Sequence, residues 1–463
     1  MTIDLRHPLP GTRPLVVGAA RSGLAAARLL RRHGLEVRVC DARPRAALAE
    51  AARVLEEIGA EALWEGDRPE SLDGRDFVVW SPGIPDRHPL AAAARTRSVP
   101  VLSELELGFL AAHAPLVGVT GTNGKSTTTD LVGALLRGAG REVEVCGNIG
   151  RPICDVAESV GPAGLLVVEV SSFQLETVSR LKPFVAVWLN LGPDHLDRHG
   201  DLDTYGALKQ RLFARQDEGD YAVWNADDPE VTRRRVGVAQ PLEFSSQRKV
   251  DEGAWAQDGE ITLGRRGGVE RLMPARELGI PGPHNLMNAL AALAATLPLE
   301  IAPDTLREGL RRYRGLEHRL EPVATIAGVR FVNDSKATNV GSLEVALRSF
   351  PSPVVLIAGG RDKGQDFTPL RELARRSVSA AVLIGEGAER IAADWRGVPV
   401  SRASSLAEAV RLGFEAARRA PAGSGVVLLS PGCASFDMFR DYEDRGRAFK
   451  AEVRRLEPEE ART

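Results

Sequence analysis

Short apolar runs alternate with polar or Gly-rich turns and with Ala/Leu-rich stretches along most of the chain. The pattern appears first as PLVVGAARSGLAAARLLRRHGLEVRVCDARP, residues 14–44, and recurs as APLVGVTGTNGKSTTTDLVGALLRGAGREVEVCGN, residues 114–148. Further strand-like runs lie at 165–170, 184–190, 221–225, 329–333, 353–360, 380–385 and 426–432. Near-continuous apolar strands separated by helices predict parallel sheets covered on both faces. The stretches 95–115 and 297–322 interrupt this rhythm and place boundaries near residues 100 and 314. The expected fold is α/β with three domains, 1–100, 101–314 and 315–463. Residues 231–275, rich in Arg and Gly with weak strand patterns, are expected as a peripheral insert in the middle domain.

Parallel α/β sheets bind ligands beyond the carboxyl ends of their strands. The unusual polar clusters fall there: TGTNGKS after 115–119, SSFQLE after 165–170, GPDHLDRH after 184–190, DSKATN after 329–333, GGRDKG after 353–358 and PGCASFD after 426–430. Residue usage sharpens the point. Of 60 basic residues only seven are lysine, and asparagine occurs eight times. A chain that uses arginine for generic charge keeps lysine where a compact ammonium or a reactive amine is needed. Lys125, Lys336, Lys363, Asn123, Asn190, Asn333 and Asn339 all belong to these turns.

GVTGTNGKST (118–127) follows a strand and opens a helix. Its glycines let backbone wrap a phosphate chain, and the helix N-terminus adds positive partial charge. Lys125 is expected on the β- and γ-phosphates and the Ser126 hydroxyl on Mg²⁺. Five residues separate Gly118 from Gly124, so this is a variant of the strict P-loop spacing. Glu169 stands inside an apolar strand, where a carboxylate is costly without charged partners; a Mg²⁺ at the strand end or a position at the sheet edge each accounts for it. His195 follows a buried strand, which favours a metal or substrate role, whereas His199 is expected at the surface. Lys209 shares an inward helix stripe with Tyr205, Leu208, Leu212 and Phe213. On the residues alone an ion pair is favoured there over carbamylation by CO₂. The turn GAARSG (18–23), with Asp41 after the next strand, suits a nucleotide-like ligand. Ala20 replaces the middle glycine of a dinucleotide fingerprint, which weakens an NAD reading.

Net charge of -2 gives no basic field for nucleic acid, and no apolar run approaches a membrane span. Four cysteines without CxxC or zinc spacing, and a start without an apolar signal region, fit a reduced cytoplasm.

GTNGKST, EVSSFQLE, LNLGPDHLDRHG, GPHNLMNALAAL, GLEHRLE, NDSKATN, GGRDKG and LLSPGCASFDMF occur in this order over 118–439, with SPGI at 81–84. Together they resemble the Mur ligase family over nearly the whole chain. NDSKATN and the SPGCASFD block point to its D-glutamate-adding branch. The resemblance implies a Rossmann-like N-terminal domain for the UDP-sugar, a central P-loop domain for ATP and a Rossmann-like C-terminal domain for the amino acid. It implies an acid–D-amino-acid ligase that adds D-glutamate to UDP-N-acetylmuramoyl-L-alanine through an acyl phosphate in cytoplasmic peptidoglycan precursor synthesis. The alternative is another Mur- or folyl-type amide ligase with a different acceptor or amino acid. A monomer with small-molecule partners is implied, with ATP, two Mg²⁺ and a CO₂-derived carbamate on Lys209 as cofactors.

Site residues follow from the same resemblance. Lys125, His195, Lys209 and Lys336 match catalytic positions. Gly121, Thr122, Asn123, Gly124, Lys125, Ser126, Thr127, Asn285, Asn288, Arg319 and Asp334 match the ATP site. Ser126 and Glu169 match one metal site, and His195 and carbamylated Lys209 the other. Arg21, Ser22, Asp41, Arg43, Gly83, Asn148 and His195 match the UDP-sugar site; Thr338, Lys363, Ser435 and Phe436 match the D-glutamate site. Two departures stand out. Arg21–Ser22 replaces a Leu–Thr pair of some members, and Tyr442 stands where phenylalanine is expected. A P-loop NTPase switch and an oxidoreductase on the first domain are the competing classes.

Overall fold

The run PLVV forms β1 (Pro14–Val17), and all four residues are buried, as a strand covered on both faces requires. A computed structural model describes residues 9–85, 87–265, 267–362, 364–419 and 425–456. With β2 (Arg38–Asp41), β3 (Glu61–Trp64), β4 (Phe77–Trp80) and β5 (Val101–Ser103), β1 makes a wholly parallel sheet in the order β3-β2-β1-β4-β5. The helix α1 (Arg21–Arg32) leaves β1 through the first glycine turn. Because β2 and β4 lie on opposite sides of β1, the crevice for a ligand opens beyond the ends of β1 and β4.

The stretch 95–115 carries structure of its own. It contains β5 and α2 (Glu104–Ala111), a helix buried almost throughout, with Ser103 capping its N-terminus by accepting from the Glu106 N–H. A Cβ on Gly108 would come within 2.4 Å of Ile153, so glycine lets α2 lie against the segment 153–156. One apolar core accordingly runs from Val16 and Val79 of the first sheet through Leu105 and Leu107 to Leu166 and Val168 of the second.

The second sheet is built from β6 (Leu116–Thr120), β7 (Val143–Gly147), β8 (Leu165–Glu169), β9 (Val185–Trp188), β10 (Tyr221–Asn225), β11 (Gln240–Ser245), β12 (Gly253–Gln257), β13 (Glu260–Arg265) and β14 (Gly268–Pro274). Their order is β14-β13-β12-β11-β10-β9-β6-β8-β7. The expectation of a peripheral insert at 231–275 is corrected here: this segment supplies four strands that continue the sheet. The last three pair antiparallel, also against expectation, and Asp258–Gly259, both at positive φ, make the turn between β12 and β13. An Asp-Gly pair between apolar runs is a hairpin signal in its own right. The helices α3 (Lys125–Gly138), α4 (Leu202–Gln210) and α5 (Pro283–Thr296) belong to this sheet.

A third sheet comprises β15 (Glu321–Ile326), β16 (Val329–Asn333), β17 (Val354–Gly359), β18 (Val378–Ile384), β19 (Val400–Arg402) and β20 (Val426–Leu429), ordered β15-β16-β20-β17-β18-β19. It is parallel except at its edge, where β15 and β16 form a hairpin. The helix α6 (Tyr442–Arg455) follows. The three-domain α/β expectation is borne out, and the chain divides into two compact units, Met1–Tyr313 and Arg314–Thr463. Among the described residues no helix is long and apolar enough to cross a membrane, and all four cysteines are free and buried.

Glu104 offers a test of the packing. Burial pushes its carboxyl up to about 7, against a hydrogen bond accepted from the Cys154 N–H. The folded chain therefore holds a proton that the unfolded chain releases near pH 4.5. Stability falls as pH rises across that window and levels off above it, by on the order of 3 kcal/mol. Glu104→Gln is expected to flatten this dependence in urea melts at pH 5 and pH 8; an unchanged slope would contradict the assignment.

Candidate active site

The end of β6 lies between the ends of β8 and β9, so the P-loop, Glu169 and the 189–199 segment converge at the carboxyl end of the sheet. Gly124 adopts φ +83, and a Cβ there would sit 2.3 Å from Asn288 Oδ1. Only glycine fits both demands. Asn190 shapes the loop: its Oδ1 accepts the N–H groups of Thr122 at 3.1 Å and Asn123 at 2.8 Å, and its Nδ2 donates to Asn123 O at 3.1 Å. The Thr122 hydroxyl bonds both backbone groups of Gly192. Gly124 caps α3 without a side chain, leaving the helix N-terminus open to an anion. Lys125 Nζ folds onto Gly121 O at 2.9 Å and Thr122 O at 2.7 Å. Ser126 is buried and Thr127 half-buried at the same turn. From α5, Asn288 accepts from the Thr128 hydroxyl at 3.3 Å and donates to Asn285 at 3.4 Å.

Glu169 is 2% exposed at the end of β8. Asn148 Nδ2 donates to its Oε1 at 2.6 Å, while Oε2 is buried with no hydrogen-bond partner. Because β8 pairs with β6 on one side and β7 on the other, it is not an edge strand, and the sheet-edge reading is excluded. A buried carboxylate oxygen without a donor is costly, and a hard cation is the partner that such an oxygen accepts.

Lys209 is fully buried on α4. Its Nζ donates to Gly121 O at 2.9 Å and lies 4.4 Å from the centre of the Tyr205 ring. Among the described residues no carboxylate pairs with it, so the ion pair favoured by the residues alone is corrected. Burial first, and then the charge of Lys125, push its pKa well below the usual lysine value, against the pull of Asp194. Burial therefore disfavours the ammonium form of this side chain against the phosphate loop. His195 is exposed, at φ +53, with its Nε2 3.5 Å from Asp194. His199, expected at the surface, is buried instead. Phe173 and Tyr205 pack on its ring, and its Nε2 meets the Ser172 hydroxyl at 3.0 Å.

At the first sheet, Asp41 is already engaged. Its two oxygens accept from Ala19 N–H at 2.8 Å, Arg43 N–H at 3.0 Å, and the Arg43 guanidinium twice at 2.9 Å. Burial raises such a carboxyl, but these bonds hold it down at about 2. Asp41 and Arg43 thus fasten the glycine turn in this structure. Gly83 and Arg21 are exposed and Ser22 is half-buried. Arg198 passed unnoticed in the sequence. It donates to Glu176 at 2.8 Å and to Ile84 O at 3.1 Å, and it covers Phe173 at 4.3 Å, tying the SPGI turn to the histidine segment.

The second unit gathers its own cluster beyond β16, β20 and β17. Asp334 is buried, accepts from Ser430 Oγ at 2.8 Å and Leu320 N–H at 3.2 Å, and is pushed by burial up to about 7. The Lys336 N–H donates to His318 O at 3.0 Å, linking the lysine turn to the turn that carries exposed Arg319. Thr338 is half-buried, Ser435 buried and Phe436 exposed. Arg445, also missed in the sequence, is buried and binds Ser335 Oγ at 3.0 Å, Ser335 O at 2.9 Å and Cys433 O at 3.1 Å. It clamps the two turns together. Lys363 lies outside the described residues.

Three family models match in chain order: the MurD-like N-terminal domain over 12–103, the Mur ligase middle domain over 119–296 and the Mur ligase glutamate ligase domain over 318–433. The chain belongs to the Mur ligase family. The UDP-N-acetylmuramoylalanine–D-glutamate ligase of Pelotomaculum thermopropionicum is 44% identical over 441 residues, covering 94% of this chain and 96% of the relative. The enzyme of the same name from Geobacter metallireducens is 44% identical over 452 residues, covering 97% and 98%. Among solved structures, the UDP-N-acetylmuramate–alanine ligase of Thermotoga maritima gives a TM-score of 0.56 at 18% identity, covering 96% of this Mur ligase and 100% of that chain. The pseudomurein peptide ligase type C of Methanothermus fervidus gives 0.54 at 17%, with the same coverage. Both share the fold of this Mur ligase.

Proposed function

We propose that this Mur ligase is an ATP-dependent amide ligase that joins D-glutamate to UDP-N-acetylmuramoyl-L-alanine, working as a cytoplasmic monomer with domains bounded near residues 100 and 314. The observation that carries the reading is the P-loop edge itself. Glu169 has a buried carboxylate oxygen without a hydrogen-bond partner at the end of β8, and the buried amine of Lys209 donates to Gly121 O of the P-loop, in a chain 44% identical to ligases of that name.

The substrate carboxylate attacks the γ-phosphorus of ATP, ADP leaves, and an acyl phosphate forms. The amine of D-glutamate then attacks the carbonyl carbon, loses a proton, and phosphate departs. Gly121 to Thr127 cradle the triphosphate, with Lys125 transferring its hydrogen bonds from the loop carbonyls to phosphate oxygens. By the family resemblance, Asn285 and Asn288 of the first unit, and Arg319 and Asp334 of the second, match positions for the rest of the nucleotide. The residues fit Mg²⁺, since Glu169 Oε2 and the Ser126 hydroxyl are hard oxygen donors beside the P-loop. Mg²⁺ supplies neutralisation of charge on the transferring phosphoryl group. Lys209, once deprotonated, would add CO₂ with release of a proton, and the resulting carbamate with His195 would hold a second cation. Asn148 and His195 orient the muramoyl-alanine end; Arg21, Ser22, Asp41, Arg43 and Gly83 line the UDP-sugar site. By the family resemblance, Lys336 serves the reacting phosphate, and Thr338, Lys363, Ser435 and Phe436 take D-glutamate.

A substrate panel tests the reading. UDP-muramoyl acceptors bearing L-alanine, a dipeptide or a tripeptide are offered with D-glutamate and other amino acids, and phosphate release is followed. Release is expected only with the L-alanine acceptor and D-glutamate together. Steady release with ATP alone would indicate a switch, and preference for another pair a different member of the family.

A further inference from the structure

Arg21 opens α1 at the end where the helix presents positive partial charge. That first turn holds no acidic residue, and Ala20 at the cap makes no side-chain hydrogen bond. A cation there has the wrong sign for the helix dipole. The guanidinium is exposed, and its hydrogen bond among the described residues runs to Gly150 O, 129 positions along the chain.

The surroundings point to an anionic ligand. Ser81, 8% exposed at the end of β4, has a hydroxyl buried without a partner. Its oxygen lies 3.0 Å from where a Cβ on Gly18 would sit and 3.4 Å from one on Gly23. A Cβ on Gly83 would meet nothing within 4 Å. An unused donor, an uncapped helix end and open space meet at one crevice.

The other end of the Arg21 bond is equally informative. Gly150 belongs to a turn closed by the Gly147 N–H to Arg151 O at 2.9 Å. Asn148 of that turn bonds Glu169 twice, by Nδ2 to Oε1 at 2.6 Å and by its N–H to Glu169 O at 2.9 Å. A short chain of contacts therefore leads from the first glycine turn to the carboxylate beside the P-loop.

We propose that Arg21 is a positioning residue that couples the diphosphate of the UDP-sugar to the Asn148–Glu169 pair. The guanidinium keeps one N–H on Gly150 O and offers its free edge to phosphate oxygens, so occupancy of the first domain fixes the 147–151 turn in the second. A planar fork of five donors can serve both partners at once, which a lysine ammonium on its flexible stem does poorly. The proposal rests on the reading of the first domain as the UDP-sugar site.

Calorimetric titration with UDP alone, on wild type, Arg21→Leu and Arg21→Lys, separates the two. Steady-state rates are measured in parallel against UDP-N-acetylmuramoyl-L-alanine and against Mg²⁺. Arg21→Leu is expected to weaken UDP binding roughly tenfold or more. Arg21→Lys is expected to keep most of the UDP affinity, because a point charge still meets phosphate. Its kcat should fall severalfold and its Mg²⁺ requirement rise, because the turn is no longer held. Arg21 is exposed, so neither variant empties the core. Unchanged UDP affinity in Arg21→Leu, or wild-type kcat and Mg²⁺ dependence in Arg21→Lys, would overturn the coupling while leaving the UDP-sugar site intact. Failure of wild type to bind UDP would overturn that site and the coupling with it.

Discussion

Replacing Lys209 by alanine is expected to lower amide formation by roughly a thousandfold or more, the scale on which groups that organise transition-state charge act. The amine sits fully buried against Gly121 O with no carboxylate paired to it among the described residues. Burial, and after it the neighbouring Lys125, disfavour its ammonium form. A neutral amine is the form that adds CO₂, giving a carbamate and a proton; an ammonium cannot. The substitution Lys209→Arg puts a permanently charged guanidinium in that place and should be as inactive as the alanine variant. Short carboxylates such as formate or acetate should restore part of the alanine variant's rate by occupying the emptied space. In wild type, activity should fall in CO₂-depleted buffer and return with bicarbonate, and ¹³C-bicarbonate should yield a carbamate carbon resonance that Lys209→Ala lacks. Near-normal activity of Lys209→Arg would contradict the carbamate.

Glu169→Gln is the second large effect. The amide keeps the shape of the side chain and can still accept from Asn148 Nδ2 through its oxygen. It removes the charge from a residue 2% exposed whose second oxygen has no partner. Turnover is expected to fall roughly a hundred- to a thousandfold, with a higher Mg²⁺ requirement. Thermal stability without Mg²⁺ should hold or rise, because an unpaired buried charge is gone. A loss of stability as large as the loss of turnover would assign Glu169 to the fold rather than to the cation.

The contrast between these two residues marks how far the chain could be read in advance. The inward direction of Lys209 followed from helical spacing, but its partner did not, since Gly121 is 88 positions away. Apolar strand cores announced the three sheets, while the hairpin strands after residue 252 were hidden by Arg and Gly until the Asp258–Gly259 turn gave them meaning. His199 reads as a surface residue within NLGPDHLDRHG, and only the packing of Phe173 and Tyr205 buries it. Asn190 stood out as a rare asparagine, but its partners did not, and Arg198 and Arg445 were missed altogether, all for one reason. Each acts by hydrogen-bonding backbone brought close by the fold, 67, 114 and 110 residues distant, and backbone has no sequence signature. Asp41 was legible as a polar strand end, yet its saturation by Ala19 and Arg43 was not.

The most direct test is isotopic. UDP-N-acetylmuramoyl-L-alanine carrying ¹⁸O in its free carboxylate is incubated with ATP, Mg²⁺, D-glutamate and the enzyme, and the released phosphate is analysed by mass. One labelled oxygen is expected in phosphate for each amide formed, because the carboxylate oxygen that attacks phosphorus departs with it. Unlabelled phosphate at full amide yield would contradict activation of the acid by ATP.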